Sequence, residues 1–266
     1  MRPGGATPRA GRVAALYDIH GNEPALRAVL AEVERELVDL VVVGGDVVPG
    51  PLPTETIETL RSLERPAVFI RGNTDRWVVE AFDGAEPGPA AVWTARRIDR
   101  EQRDFLASFA ERAVVEVNGL GAVLFCHGSP GNDEEMLTTL TPEERWRPIL
   151  AGVEQRIVVC GHTHTQFDRA LDTWRVVNAG SVGMPYEGRG GAYWALVGPD
   201  VELRRTEYDI EAAEPRLRAG GWPGMDGFLR DSFLEPRDPL EVAATLERQA
   251  GAQKHRAEAT ARGRQS

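Results

Sequence analysis

Residues 12–22 read RVAALYDIHGN, and the reading of the fold starts from them. The short apolar run is strand-like, and it stops at Asp18-Ile19-His20-Gly21-Asn22. An amphipathic stretch follows over residues 24–37, where Leu26, Val29, Leu30, Val33 and Leu37 recur at helical spacing. Pro24 suits a first helical turn, and Asn22 can cap it. LVVV (Leu40–Val43) predicts a second buried strand, residues 54–63 a second helix, and AVFI (residues 67–70) a third strand. This βαβαβ rhythm predicts an α/β fold with a largely parallel sheet.

Further along, the pattern changes. Residues 77–111 read as helices and loops, with a Gly/Pro break at 84–89. Strands resume as AVVEV and AVLFC around a turn at residues 118–121, and a helix is predicted over 142–150. IVVC, residues 166–170, WRVVN, GAYWALV and VELRR follow as strands. The later ones are closely spaced and hairpin-like, so part of the second half is predicted to be antiparallel. The expected architecture is two facing mixed β-sheets, a β-sandwich, flanked by α-helices. Residues 1–11 read as a disordered leader, 12–208 as the main domain, 209–248 as helical pieces packed on it, and 249–266 as a disordered tail.

Five apolar runs end in metal-ligand residue types. The first delivers Asp18 and His20, the second Gly44-Gly45-Asp46, and the third Gly72-Asn73-Thr74-Asp75. The fourth ends in Cys126-His127-Gly128 and the fifth in Gly161-His162-Thr163-His164. Singly, each has a bland account: a D-x-H pair is common, and GNTD alone is a turn with Asp75 as helix cap. His162 and His164 are more specific, because residues i and i+2 of an extended segment point the same way. All five fall at the carboxyl ends of strands, where α/β sheets build their sites. Jointly they predict a metal centre. Two dications about 3.5–4 Å apart clamp the attacking and leaving oxygens of an in-line displacement. Holding them so close needs a shared anion, for which Asp46 is the candidate. Neutral imidazoles and the Asn73 amide then complete the shells without overcharging the site.

Composition narrows the partners. The formal net charge of -10 argues against non-specific binding of long DNA or RNA and of an anionic membrane surface. It leaves room for a small anionic substrate, because bound dications invert the local field. No apolar run approaches the ~20 residues of a membrane span, and the N-terminal stretch lacks the apolar core of a signal peptide, so a cytoplasmic protein is expected. Cys126 and Cys160 are the two cysteines, without CxxC spacing, which excludes a disulfide scaffold and a thiolate zinc site.

The order DxH, GD, GNxD, HG, GHTH resembles the calcineurin-like metallophosphoesterase superfamily, and DIHGN with the small size resembles its compact bacterial and archaeal phosphodiesterase-type branch. The likeness runs from about residue 13 to 208 and includes HGSPGNDEE and NAGSVGMP. It implies a two-metal phosphoester hydrolase in which a hydroxide shared by the metals attacks phosphorus in line. Asp18, His20, Asp46 and His164 would bind one metal, and Asp46, Asn73, His127 and His162 the other. Asp46, Asn73 and His127 would carry catalysis, while Asn22 and Ser181 would lie near the substrate. Mn²⁺ is the first expectation for the metals, with Fe, Ni or Zn suited to the same donor set. Thr74 departs from the family pattern, which often has His there to protonate the leaving group. The departure favours a phosphodiester over a phosphomonoester. The alternatives are a protein or nucleotide phosphatase, a dinucleotide polyphosphate hydrolase, or a non-catalytic scaffold. Arg96, Arg97, Arg100 and Arg103 read as a solvated helix face, residues 133–135 as an acidic helix start, and Trp222, Phe228 and Phe233 as packing for the C-terminal helices.

Overall fold

A computed structural model of the chain describes residues 7–263. Val13–Leu16 (β2) pairs in parallel with Leu40–Val43 (β3), which pairs in parallel with Ala67–Phe69 (β4). The crossovers are the helices Glu23–Arg35 (α1) and Pro53–Arg61 (α2). Asn22 caps α1 by accepting from the Ala25 amide at 3.2 Å, so the chain turns into the helix directly after His20. On the other edge of β2, Ala192–Val197 (β10) pairs antiparallel and carries Val201–Thr206 (β11) outside it. The second sheet has Arg9–Ala10 (β1), Arg112–Val117 (β5), Gly121–Cys126 (β6), Ile157–Cys160 (β7), Trp174–Asn178 (β9) and Phe167–Leu171 (β8), in that spatial order.

Strand alternation sorts the core into three layers. Val13, Ala15 and Tyr17 face Phe125, Val159 and Val177 between the sheets. Ala14, Leu16, Val41 and Val43 point outward against Leu26, Val29 and Val33 of α1 and Ile57 and Leu60 of α2. Leu124, Cys126, Val158 and Cys160 meet Trp146 and Leu150 of Glu143–Leu150 (α6) on the opposite face. Both cysteines are thus buried small side chains. The architecture is the expected one: two facing mixed sheets flanked by helices. Asn73–Phe82 (α3), Pro89–Ala95 (α4) and Arg100–Ala107 (α5) fill the predicted helical middle.

Three expectations are corrected. The stretch expected to be a leader contains β1, which pairs with β5, and the Gly11 and Arg12 amides donate to the Asp39 carboxylate at 2.7 and 2.8 Å. A two-residue strand has no periodicity to detect; backbone pairing alone makes it. Residues 1–6 of that stretch lie outside the described residues. The stretch from 249, expected to be disordered, continues Pro239–Gly263 (α9), because its Ala, Gln, Glu, Lys and Arg residues are good helix formers. Residues 264–266 lie outside the described residues. Asp133 and Glu134 begin no helix; they sit in a loop and bind Arg76. Ile210–Ala219 (α7) and Met225–Leu229 (α8) pack Leu217, Met225 and Phe228 on Leu52, with Trp222, Phe233 and Met184 alongside.

Candidate metal centre

The five ligand-bearing turns converge at one end of the sandwich, and backbone hydrogen bonds continue past the strands to hold them. The Asp18 amide donates to Gly45 O at 3.0 Å and the His20 amide to Asp46 O at 2.9 Å, so the first two turns are zipped together. The Asp75 carboxylate accepts from the amides of Gly72, Val47 and Val48 at 3.1, 2.9 and 3.2 Å. It therefore caps α3, as read from the sequence, and also pins the turn that carries Asp46. Burial and the nearby Asp46 charge push its carboxyl up to about 7, against the pull of those backbone donors. Glycine is required where a Cβ would collide: at Gly72 it would lie 2.1 Å from Asp46 Oδ1, and at Gly161 2.5 Å from Asp18 Oδ2.

The backbone at the site is unusual. Among the described residues seven non-glycines have positive φ, and five of them are Asp18, His20, Asp46, His162 and His164. Each such conformation costs an L-residue about 1–2 kcal/mol. Strain concentrated on five predicted ligands is spent on aiming side chains inward.

The side chains fall into two groups sharing one carboxylate. Asp18, His20, Asp46 and His164 form one, and Asp46, His127 and His162 the other, with the ligand atoms of each group within 4.8 Å of one another. Asn73 Oδ1 lies 3.2 Å from His127 Nε2 and joins the second. His20 Nδ1 lies 3.3 Å from Pro49 O, His127 Nδ1 2.9 Å from Gly44 O, and His164 Nδ1 2.7 Å from Met184 O. A carbonyl only accepts, so each Nδ1 carries a proton and each Nε2 is turned to the centre, where it can hold a proton or bind a cation.

Those Nε2 atoms face carboxylate oxygens and one another. His20 Nε2 and His164 Nε2 are 3.1 Å apart. Asp18 Oδ1, fully buried and without a hydrogen-bond partner among the described residues, lies 3.3 Å from His164 Nε2 and 3.9 Å from the Nε2 atoms of His20 and His127. Asp46 Oδ2 is 3.7 Å from His20 Nε2 and its Oδ1 3.5 Å from His127 Nε2. Carboxylates and imidazoles gathered so closely require positive charge between them, as protons or as metal ions, and a carboxylate, imidazole and amide set fits divalent cations.

The titration of the groups agrees. Burial alone would raise both carboxyls, but the surrounding imidazoles hold Asp18 below its ordinary value and Asp46 far below. Burial opposes a proton on His127, yet Asp46 and Asp18 outweigh it and lift the ring to about 10. His164 is raised likewise, chiefly by Asp18 against burial. His20 and His162 fall to about 4, first through burial and then through His164 and His127 respectively. Without a metal the carboxylates thus favour a proton on these two rings, and a cation meets the same need.

All seven sequence-predicted ligands come together. The two residues predicted to lie near the substrate are buried, with their side chains engaged within the fold. Asn22 is fully buried, accepting from Ala25 N and donating to Gly183 O and Tyr208 Oη at 3.0 Å each. Ser181 is fully buried and donates to Asp18 O at 2.7 Å while accepting from Met184 N at 2.8 Å. Both position the ligand turns instead. The reading missed Tyr186, whose ring stacks on His164 at 5.2 Å and 18°. Its place directly after the quoted NAGSVGMP segment was the available signal.

This fold and this cluster define a class, and the chain belongs to the calcineurin-like phosphoesterase superfamily, whose domain matches residues 12–198. It is a metal-dependent phosphoesterase by that membership. It is similar to the crystal structure of a metallophosphoesterase from Sphaerobacter thermophilus, at 27% identity and TM-score 0.66, over 83% of this chain and 98% of that one. The hypothetical protein PH1004 from Pyrococcus horikoshii shares the fold at TM-score 0.73 and 24% identity, covering 85% of this chain and 98% of its own. The uncharacterized protein MJ0912 of Methanocaldococcus jannaschii is 28% identical over 244 residues, 82% of this chain and 97% of that protein. No helix among the described residues is long and apolar enough to cross a membrane.

Proposed function

We propose that this chain is a two-metal phosphodiesterase acting on a small phosphoester. Asp18, His20, Asp46 and His164 would hold one dication, and Asp46, Asn73, His127 and His162 the other, with Mn²⁺ the metal to try first. Bound there, the ions would supply Lewis acidity to a phosphoryl oxygen and to the attacking water. The chain contributes orientation: Gly44 O, Pro49 O and Met184 O hold protons at Nδ1, and Asp75 holds the turn of Asp46.

The observation that favours a diester is the use made of Thr74. Its amide donates to Asp46 Oδ1 at 2.9 Å and its hydroxyl to Val48 O at 2.5 Å. The hydroxyl proton is spent on the backbone, so this position offers none to a departing oxygen. Esters whose leaving group departs without that proton are favoured. The net charge of -10 supports a small substrate over long nucleic acid.

The test compares bis-p-nitrophenyl phosphate with p-nitrophenyl phosphate, each with Mn²⁺ and with EDTA. Faster, EDTA-sensitive turnover of the diester is expected. Faster turnover of the monoester would replace this reading with a phosphatase, and no turnover by metal-loaded protein would replace it with a scaffold. Thr74→His should raise the monoester rate relative to the diester rate by about tenfold, since a positioned acid contributes at least that much.

A further inference from the structure

Beside His127 a cleft of about 360 Å³ opens between the segment bearing Arg71 and Arg76 and the HGSPGNDEE loop, lined also by Glu111, Ser129 and Asp133. This is at the lower end of the range for small-molecule sites, about 300–1,000 Å³, and larger than a single phosphoryl group needs. His127, 1% exposed, forms its floor, Arg71 its half-buried wall and Glu111 its exposed rim. The loop wall is firm: Ser129 Oγ donates to Asn132 O and accepts from Asn132 N, and a Cβ at Gly128 would meet three backbone atoms of residues 132–135 at 2.9–3.0 Å.

The two arginines are used differently. Arg76 is saturated, donating to both Asp133 oxygens at 3.0 Å and to Glu134 at 2.6 Å, with Glu80 at 3.4 Å. That cluster fastens the loop to α3 and spends the charges of Asp133 and Glu134. Among the described residues the Arg71 guanidinium has only long contacts, 3.4 Å to Glu111, whose side chain is 81% exposed, and 3.8 Å from its Nε to Asp133. Its Nε is buried and donates no hydrogen bond among the described residues. An ion pair to so exposed a carboxylate holds it weakly. A planar guanidinium that is only weakly held therefore lines the same cleft as His127 of the candidate metal centre.

We propose that this cleft is the subsite for a second, non-scissile phosphoryl group of the substrate, and that Arg71 is the residue that reads it. The inference rests on the phosphodiesterase reading and narrows its substrate class to phosphoesters carrying a further phosphate. Arg71 addresses the part of the substrate beyond the reacting phosphorus, because it stands outward of His127 on the way to the rim.

The matched probes are thymidine 5′-(p-nitrophenyl phosphate) and its 3′-phosphorylated counterpart, which share one leaving group. With Mn²⁺ the protein should prefer the phosphorylated ester roughly tenfold in kcat/KM, mainly through KM, as expected for one charge-assisted hydrogen-bonded contact. Arg71→Gln should bring that ratio near one, and Arg71→Lys should keep part of it. Calorimetry with thymidine 3′,5′-bisphosphate against thymidine 5′-monophosphate gives the second readout, on Mn²⁺-loaded and on EDTA-treated protein. Tighter binding of the bisphosphate that depends on Arg71 is expected in both. Absence of preference, or equal losses on both probes in Arg71→Gln, would overturn the proposal. If neither ester turned over, the phosphodiesterase reading would fall, and the calorimetric comparison would still decide the subsite.

Discussion

The two halves of the candidate metal centre share Asp46 and each have two histidines, and they are held to different degrees. Around His20 and His164 both rings are fixed by a carbonyl at Nδ1, pack on each other at 4.8 Å, and are backed by Tyr186. In the other half His127 is fixed by Gly44 O, but the His162 ring makes no hydrogen bond among the described residues; only its amide does, to Asp18 Oδ2 at 2.8 Å. That second half also borders the cleft of Arg71. The more firmly held half is the one around His20 and His164, and the looser half is the one that borders the cleft proposed for substrate. Preorganised ligands lose less freedom on binding, so the first half should be the tighter one.

The contrast can be broken outright at the shared carboxylate. Asp46→Ala should empty both halves in a metal-content assay and lower turnover on the order of a thousandfold, the scale of a lost metal contribution. One retained ion would show that the halves do not share Asp46. In pH dependence, by contrast, the halves should agree. His127, at about 10, is protonated at pH 7 without a metal, His164 is shifted in the same direction, and a cation would take the place of such protons at Nε2. Metal binding therefore releases protons, and affinity should climb from pH 6 to 8, by about tenfold per unit for each proton displaced. His20 and His162, near 4, are already neutral there and add nothing. Titration calorimetry in buffers of different ionisation enthalpy counts the protons; a count of zero would contradict the charge state assigned to the metal-free site. The smallest effect sharpens the contrast itself. His164→Ala should weaken one ion by about tenfold more than His162→Ala weakens the other, because it also removes the support of Met184 O and Tyr186. Equal losses in competition titrations would mean that the extra support contributes nothing to affinity.

The residues of the candidate centre were legible in the sequence because each stands within a few residues of a strand end, so local pattern located them. Asp18, Asp46 and His127 needed no knowledge of which strand lies beside which. The strand order did need it. That β7 pairs with β9 while β8 lies outside, and that β10 joins β2 across some 180 residues, follow from packing of distant segments. The same limit misled the reading of Asn22 and Ser181, since the partners that absorb their hydrogen bonds, Gly183, Tyr208, Asp18 and Met184, are mostly far away in sequence. Charge clusters were misjudged for a similar reason. Arg96, Arg97, Arg100 and Arg103, expected on one helix face, straddle the break between α4 and α5; Arg97 stacks on Trp93 at 3.6 Å and Arg103 bonds Asp83 and Asp104. The different uses of Arg71 and Arg76 depend on where the 133–134 loop folds back, which no local pattern encodes.

The positive-φ ligands carry one more consequence, and it concerns inheritance. At Asp18, His20, Asp46, His162 and His164 the backbone conformation is one that glycine or asparagine adopts more cheaply. A lineage released from selection for hydrolysis could therefore exchange these residues and gain robustness in doing so. Loss of chemistry would be downhill for the fold, and a durable, inert descendant of such an enzyme is an outcome that its own backbone favours.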